Sequence, residues 1–339
     1  MKEWLLDYLR CNDLKIFISG VDKDTGEPFS GMILCDSIKF YIRRGIAIFL
    51  KKEIAQNAYK LRGLYEALPP APWKAYRNDW IRHMRMVHLK MLVETITKYV
   101  KTNGKRRQVN ILSIGCGWGW EIWAITKILD NLGVKKFRLI GVDIARKPLK
   151  LAKKILKKRQ DSRIEFAVAP AEKLPFKNNI FDIVTAIFGA LDHSEKYVRG
   201  FKEIARVIKP GGKTVFTVLN RFAIDWFAKI LGNPRLFIKT IKKAKEPFTR
   251  VTIPLPRGGA VRIPTHYYIP NEVSKLLKMF CFKRIKTYGI FVMLPMNFKK
   301  ENFSSIDKFL SKIECRINSI FPFYHLGQYI GVIAEKVLE

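Results

Sequence analysis

From residue 109 onward the chain alternates short apolar, β-rich runs with helical segments, and that alternation points to a parallel sheet carrying helices on both faces. Residues 109–115, 137–143, 164–169, 181–188 and 213–220 read as strands, and 121–132, 145–160 and 195–208 as the helices between them. Lys209-Pro210-Gly211-Gly212 reads as a tight turn into the fifth strand, and 284–291 and 329–337 as sixth and seventh strands. Between residues 221 and 268 the alternation stops. This insertion holds an amphipathic stretch at 222–241 and a hairpin from 251–255 to 260–263 around Gly258 and Gly259. An insertion after a fifth strand sits above the carboxyl edge of the sheet, where ligands bind in such folds.

Upstream, after a break at Pro69, Pro70 and Pro72, residues 76–100 space Trp80, Met84, Val87 and Met91 at helical intervals, and Asn103-Gly104 ends the helix. The expected organisation is a small β-rich unit at 1–55, a linker and lead-in helix at 56–108, and a main domain at 109–339 with a lid insertion at 221–268. A chain of 339 residues buries enough apolar surface to fold unaided. No apolar run approaches the roughly 18 residues of a membrane span. The first residues include Glu3 and Asp7 and show no small-residue cleavage site, so no signal peptide is expected and the cytoplasm is the expected compartment.

The formal charge of +34 favours polyanions such as RNA or an anionic membrane surface, although a lysine-rich proteome adapted to heat shows the same balance without any such partner. Short basic runs at Lys105 to Arg107 and Lys242 to Lys245 read as solvated faces. Five cysteines, Cys11, Cys35, Cys116, Cys281 and Cys315, are too few and scattered for a disulfide framework.

The chemistry concentrates at ILSIGCGWG, residues 111–119, where a strand runs into glycines at every second position and then a helix. Side chains at Gly115, Gly117 and Gly119 would hold a ligand off the backbone. Asp143 closes the next strand, where a carboxylate can accept both ribose hydroxyls; the alternative is a helix cap before Ala145.

Together with LIGVDIA (139–145), EKLPF (172–176), FDIV (181–184) and RVIKPGG (206–212), this segment resembles the class I S-adenosylmethionine (SAM)-dependent methyltransferases. More narrowly, it resembles the subgroup that includes quinone-biosynthesis and tRNA wobble-uridine enzymes. The resemblance covers about residues 109 to 220 and implies an α/β, Rossmann-like, seven-stranded sheet whose last strand runs antiparallel. It implies SAM as cofactor, with Gly115, Gly117 and Gly119 lining its methionine and ribose, Asp143 and Ile144 at the ribose, and Ala171 at the adenine. The family places acids where Ser113 and Pro170 stand. Here Ser113 offers only a hydroxyl to the methionine end, and Glu172 is the candidate substitute beside adenine. FGALDHSE (188–195) follows the fourth strand on the acceptor side, with Phe188 beside the ligand and His193 as candidate base ahead of Asp192; a structural or capping histidine is the alternative. Trp118 and Trp120 are candidates to flank the ligand, although core packing suits Trp120 and Trp123.

A fainter resemblance joins residues 5–11 and 31–50 to the zinc ribbon of the tRNA-methyltransferase activator family, which places C-x-x-C at both knuckles. Leu14 and Ile38 stand where the second cysteines belong, leaving two of the four ligands that a structural zinc needs. The reading is a degenerate ribbon without metal, in which Cys11 and Cys35 lie close enough to pair. The ribbon and the charge favour methyl transfer to N or O of an RNA or translation-related acceptor. The absence of an Asn/Asp-Pro-Pro-Tyr motif argues against exocyclic amines. A small apolar or lipid-like acceptor is the alternative, roofed by Phe222, Trp226, Phe227, Leu236 and Phe237; the same stretch also suits a membrane surface. A non-catalytic SAM- or RNA-binding protein is the alternative from another class.

Overall fold

The computed structural model describes residues 1–50, 78–157, 161–193, 196–222, 248–254, 260–294 and 301–337. The proline break, Trp226, Phe227, Leu236, Phe237, the Lys242 to Lys245 run and the Gly258-Gly259 turn lie outside the described residues.

The strands in chain order are β1 (Leu14–Val21), β2 (Pro28–Cys35), β3 (Ile38–Arg43), β4 (Ile46–Ile48), β5 (Val109–Ile114), β6 (Phe137–Asp143), β7 (Ile164–Val168), β8 (Phe181–Ala186), β9 (Ile208–Leu219), β10 (Phe248–Pro254), β11 (Ala260–His266), β12 (Phe282–Ile290) and β13 (Tyr329–Lys336). Among the described residues, eleven of them form one sheet in the order β1-β2-β3-β4-β7-β6-β5-β8-β9-β13-β12, and β10 pairs β11 in an antiparallel hairpin. β5 lies between β6 and β8, and β5 through β9 run parallel. The chain thus builds outward from β5 first to one side and then to the other, which leaves a crevice beyond the carboxyl ends of β5 and β8. β13 runs antiparallel to both β9 and β12.

Two departures from the sequence reading have local causes. The N-terminal strands do not stand as a separate small body: β4 pairs in parallel with β7 through Ala47↔Ala167 and Ile48↔Val168, so the hairpins extend the seven-stranded sheet to eleven. Without β4 the buried parallel strand β7 would be an open edge, and Phe49 N–H adds a bond to Val168 O at 2.8 Å. The second departure lies at Lys209 to Gly212, where no free turn precedes the fifth strand. Phe181 pairs with Ile208 and Ile183 with Lys213, so these residues bulge out within β9.

The helices are α1 (Asp79–Asn103), α2 (Trp120–Asn131), α3 (Arg146–Lys157), α4 (Tyr197–Val207), α5 (Pro270–Met279) and α6 (Ser305–Ile317). One face of the sheet buries Phe201, Ile204 and Val207 of α4 and Val273, Leu276 and Leu277 of α5, with Leu5 and Leu9 from the N-terminal segment. The other buries Met84, Val87, Met91 and Ile96 of α1, Ile122 and Ile125 of α2, and Leu149 and Ala152 of α3. These are positions three and four apart, the spacing that puts one helical stripe on a core.

The lead-in helix α1 is fixed at both ends. Asn78 Oδ1 caps its start by accepting from Ile81 N–H at 3.1 Å, and Gly104, at φ 83°, ends it. Near its C-terminus Tyr99 donates to Asp182 Oδ1 at 2.7 Å. Near its N-terminus His83 Nε2 lies 2.8 Å from Glu314 of α6, a fully buried carboxylate that also accepts from Phe291 and Met293 N–H. A helix pinned in this way holds Arg85 and His88 beside the crevice. No described helix is long and apolar enough to cross a membrane.

Candidate functional site

The glycine turn after β5 is the floor of the site. Gly115, Gly117 and Gly119 have φ of 69°, 49° and 84°, the left-handed region in which a side chain is strained. A Cβ on Gly115 would stand 2.7 Å from Ala190 Cβ, and one on Gly119 2.9 Å from Ala152 Cβ, whereas a Cβ on Gly117 would meet nothing within 4 Å. The outer two glycines let the turn pack against its neighbours, and the middle one opens its backbone to the crevice. Gly115 and Cys116 N–H both donate to Val142 O, at 2.8 and 3.1 Å, and clasp the turn to β6.

Asp143 ends β6 beside this turn. Its Oδ2 accepts from Gly117 N–H at 2.9 Å and its Oδ1 from Ala145 N–H at 2.8 Å, so it braces the glycine backbone and caps the entry to α3 together. Each oxygen keeps a lone pair for a ribose hydroxyl. Burial pushes its pKa up to about 6, against the bonds from Ala145 and Gly117 that favour the charged form. Ile144 follows, partly buried. Ala169 N–H donates to Asp143 O at 3.2 Å, which brings the next loop, with buried Pro170 and Ala171 and half-buried Glu172, to the same end of the sheet. Replacing Asp143 by Ala is expected to weaken binding of the donor by about 3 kcal/mol, the scale of hydrogen bonds to a charged group. Titration calorimetry with S-adenosylhomocysteine checks this, and unchanged affinity would place the ribose elsewhere.

The loop after β8 forms the facing wall. Phe188 sits at φ 61°, held by its N–H to Thr217 Oγ1 at 2.7 Å, with 41% of its surface exposed and Tyr329 5.8 Å away. His193 is largely buried. Its Nδ1 lies 3.2 Å from Thr265 Oγ1 of β11, and its Nε2 faces Gly189. Burial lowers its pKa, and the Pro264 carbonyl partly offsets this. Asp192 is fully buried: Oδ1 accepts from Leu219 N–H at 3.1 Å, and its backbone O accepts from His266 N–H at 2.7 Å. It ties the end of β9 to the β10–β11 hairpin. Its Oδ2 has no hydrogen-bond partner among the described residues, and burial pushes its pKa up to about 8.

Ser113 is fully buried under the turn, its hydroxyl facing the Glu121 carboxylate. Sequence reasoning passed over three side chains on this side of the crevice. Glu121, in the first turn of α2, is 3% exposed. Arg85 lies with its guanidinium carbon 4.3 Å from the Trp120 ring centroid and 5.6 Å from that of Phe188. His88 is buried with its ring 6.4 Å from Phe188. The signal available for the last two was their place on the buried stripe of α1, where charged or polar residues interrupt Met84, Val87 and Met91. Trp120 and Trp123 pack on the core of that face.

The N-terminal knuckles are joined by a Cys11–Cys35 disulfide with Cα atoms 5.4 Å apart. Asp36 beside them accepts from Asn12 and Asp13 N–H, both at 2.9 Å. This region lies apart from the crevice.

SAM fits the residues that surround the crevice. The backbone at Gly117 is open, each Asp143 carboxylate oxygen keeps a lone pair for a hydroxyl donor, and Glu121 Oε1 is buried without a hydrogen-bond partner among the described residues. The family model described as a methyltransferase domain matches residues 112–216. The uncharacterized protein MJ1252 of Methanocaldococcus jannaschii is 31% identical over 279 residues, covering 82% of this chain and 91% of its own. The demethylmenaquinone methyltransferase of Lactococcus lactis is 35% identical over 118 residues, covering 35% of this chain and 45% of its own. The ubiquinone/menaquinone biosynthesis C-methyltransferase of Wigglesworthia glossinidia brevipalpis is 30% identical over 157 residues, 46% of this chain and 60% of its own. The match thus spans about half the length of those two enzymes. The chain belongs to one family with the Methanocaldococcus protein and, with its α/β Rossmann-like methyltransferase fold, is a SAM-dependent methyltransferase.

Proposed function

We propose that the methyl acceptor is a small apolar ring of the hydroquinone type, ahead of the RNA acceptor that charge and the N-terminal ribbon favour. The observation that carries this reading is Phe188: a large ring left 41% exposed at the crevice mouth, backed by Tyr329 and next to the loop bearing His193. An aromatic wall beside a loop that carries a half-buried histidine suits a flat, hydroxyl-bearing acceptor. The names of the Lactococcus and Wigglesworthia enzymes point the same way, and the second extends the expected N or O acceptor to carbon.

SAM supplies an electrophilic methyl group on its sulfonium. The chain then contributes alignment, exclusion of water and one proton acceptor. Thr265 Oγ1 lies 3.5 Å from Ile263 O and can donate to it, which leaves a lone pair for His193 Nδ1–H at 3.2 Å. In that tautomer, assigned from the hydrogen bonds, Nε2 carries the acceptor lone pair. The lowered pKa keeps His193 neutral near pH 7, the form that takes a proton. Removing the hydroxyl proton of a hydroquinone raises electron density on both its oxygen and the adjacent ring carbon. Asp192, held by Leu219 N–H, acts in this scheme as the anchor of the loop and leaves the proton to His193.

The test is incubation of the protein with methyl-labelled SAM and either demethylated quinols or total RNA. Label in the organic-extractable quinol is expected. Label found in RNA alone would overturn the acceptor assignment.

A further inference from the structure

We propose that the amino-acid end of the donor is gripped by opposite charges from two helices: Glu121 of α2 takes its ammonium group and Arg85 of α1 its carboxylate. Glu121 thereby supplies from the helix the carboxylate that β5, with Ser113, does not. This inference rests on the donor occupying the glycine crevice and is independent of the acceptor.

Glu121 reaches back from the first turn of α2 to the ends of β5 and β8, where it faces the hydroxyls of Ser113 and Thr185. It is 3% exposed, and its Oε1 has no hydrogen-bond partner among the described residues. A helix dipole favours an acid in the first turn, but that benefit is available to an exposed side chain and gives no reason for burial. A buried carboxylate with an idle oxygen is costly unless a cation or donor arrives to meet it. Burial raises its pKa to about 7, with the Ser113 and Thr185 hydroxyls and the Arg85 charge acting the other way. An arriving ammonium would favour the charged form further.

Arg85 completes the geometry. Its guanidinium lies over Trp120, just past the glycine turn, and within 5.6 Å of the Phe188 ring centroid, on the opposite wall. It therefore spans the mouth above the turn. Its charge is felt by Glu121 and by the buried, neutral His88. A planar guanidinium matches a carboxylate with two parallel bonds, and an amino-acid group carries one carboxylate and one ammonium. A buried acid and an arginine whose charge reaches it, both beside an open glycine backbone, are complementary to that pair.

Titration calorimetry with S-adenosylhomocysteine and with 5′-methylthioadenosine, which keeps the nucleoside and thioether but lacks the amino-acid end, tests the assignment. Glu121→Gln and Arg85→Met are expected to weaken S-adenosylhomocysteine by about 10- to 100-fold and leave methylthioadenosine within about threefold. The double variant Ser113→Asp, Glu121→Leu is expected to recover most of the affinity that Glu121→Leu loses, because a carboxylate again faces the same space. Equal losses for both ligands, no loss for either, or no recovery in the double variant would overturn the clamp. If the unaltered protein binds neither ligand, the donor assignment itself falls and the clamp with it.

Discussion

His193→Ala is expected to slow turnover by about 10²- to 10⁴-fold, the usual contribution of a positioned general base, and to leave S-adenosylhomocysteine affinity unchanged. The separation of the two effects follows from geometry. His193 lies on the loop after β8, across the crevice from Asp143, and its Nε2 faces Gly189. Thr265→Val removes the oxygen 3.2 Å from Nδ1 and should lower the rate by a smaller factor, because the ring loses the partner that fixes its tautomer. The pH profile carries a further sign. A base works in its neutral form, and burial holds the His193 pKa below the ordinary value of 6.5, so its contribution should already be at a plateau at neutral pH. Single-turnover rates across pH 5 to 8 measure this, and an undiminished rate in His193→Ala would remove it as base.

Asp192→Asn is expected to reverse its effect on stability with pH. Burial raises the Asp192 pKa from 3.8 to about 8, so the unfolded chain releases this proton near pH 4 while the folded chain holds it to about pH 8. Between those values the folded state binds the extra proton, and its stability falls as pH rises; the stabilisation is full below the unfolded value and lost by the folded one. The total is on the order of 5 kcal/mol at about 1.4 kcal/mol per pH unit. Asparagine has no such slope, but its amide leaves a donor where Oδ2 has no partner among the described residues, a cost of about 1–3 kcal/mol. The variant should therefore be the less stable near pH 4, where little of the wild-type stabilisation has yet been lost, and the more stable, by a few kcal/mol, at pH 9. Urea denaturation at the two pH values decides it; parallel stability curves would show that Asp192 ionises without cost.

What was legible in the sequence was local. The strands from β5 onward announced themselves by apolar runs, and the turn after β5 by glycine spacing, because both signals sit within a few residues. The Cys11–Cys35 pairing was left open for a related reason: whether two distant knuckles meet depends on hairpin register. The junction of β4 with β7 was invisible, since two residues pair with a strand more than a hundred residues away. Asp192 looked the same on paper whether it faced the acceptor or Leu219 N–H, and only packing tells these apart. Glu121 was hidden inside an ordinary helix start, where an acid is unremarked, and Arg85 inside a long amphipathic helix. The net charge of +34 is a property of the whole surface and by itself names no acceptor.

The central claim is that the SAM nucleoside lies on the open backbone at Gly117, with its ribose on Asp143. A crystal structure of the protein grown with S-adenosylhomocysteine tests it most directly. The account predicts ligand density with both ribose hydroxyls on the Asp143 carboxylate and the sulfur directed toward Phe188. A crevice closed by the chain's own side chains, or ligand bound anywhere else, would contradict it.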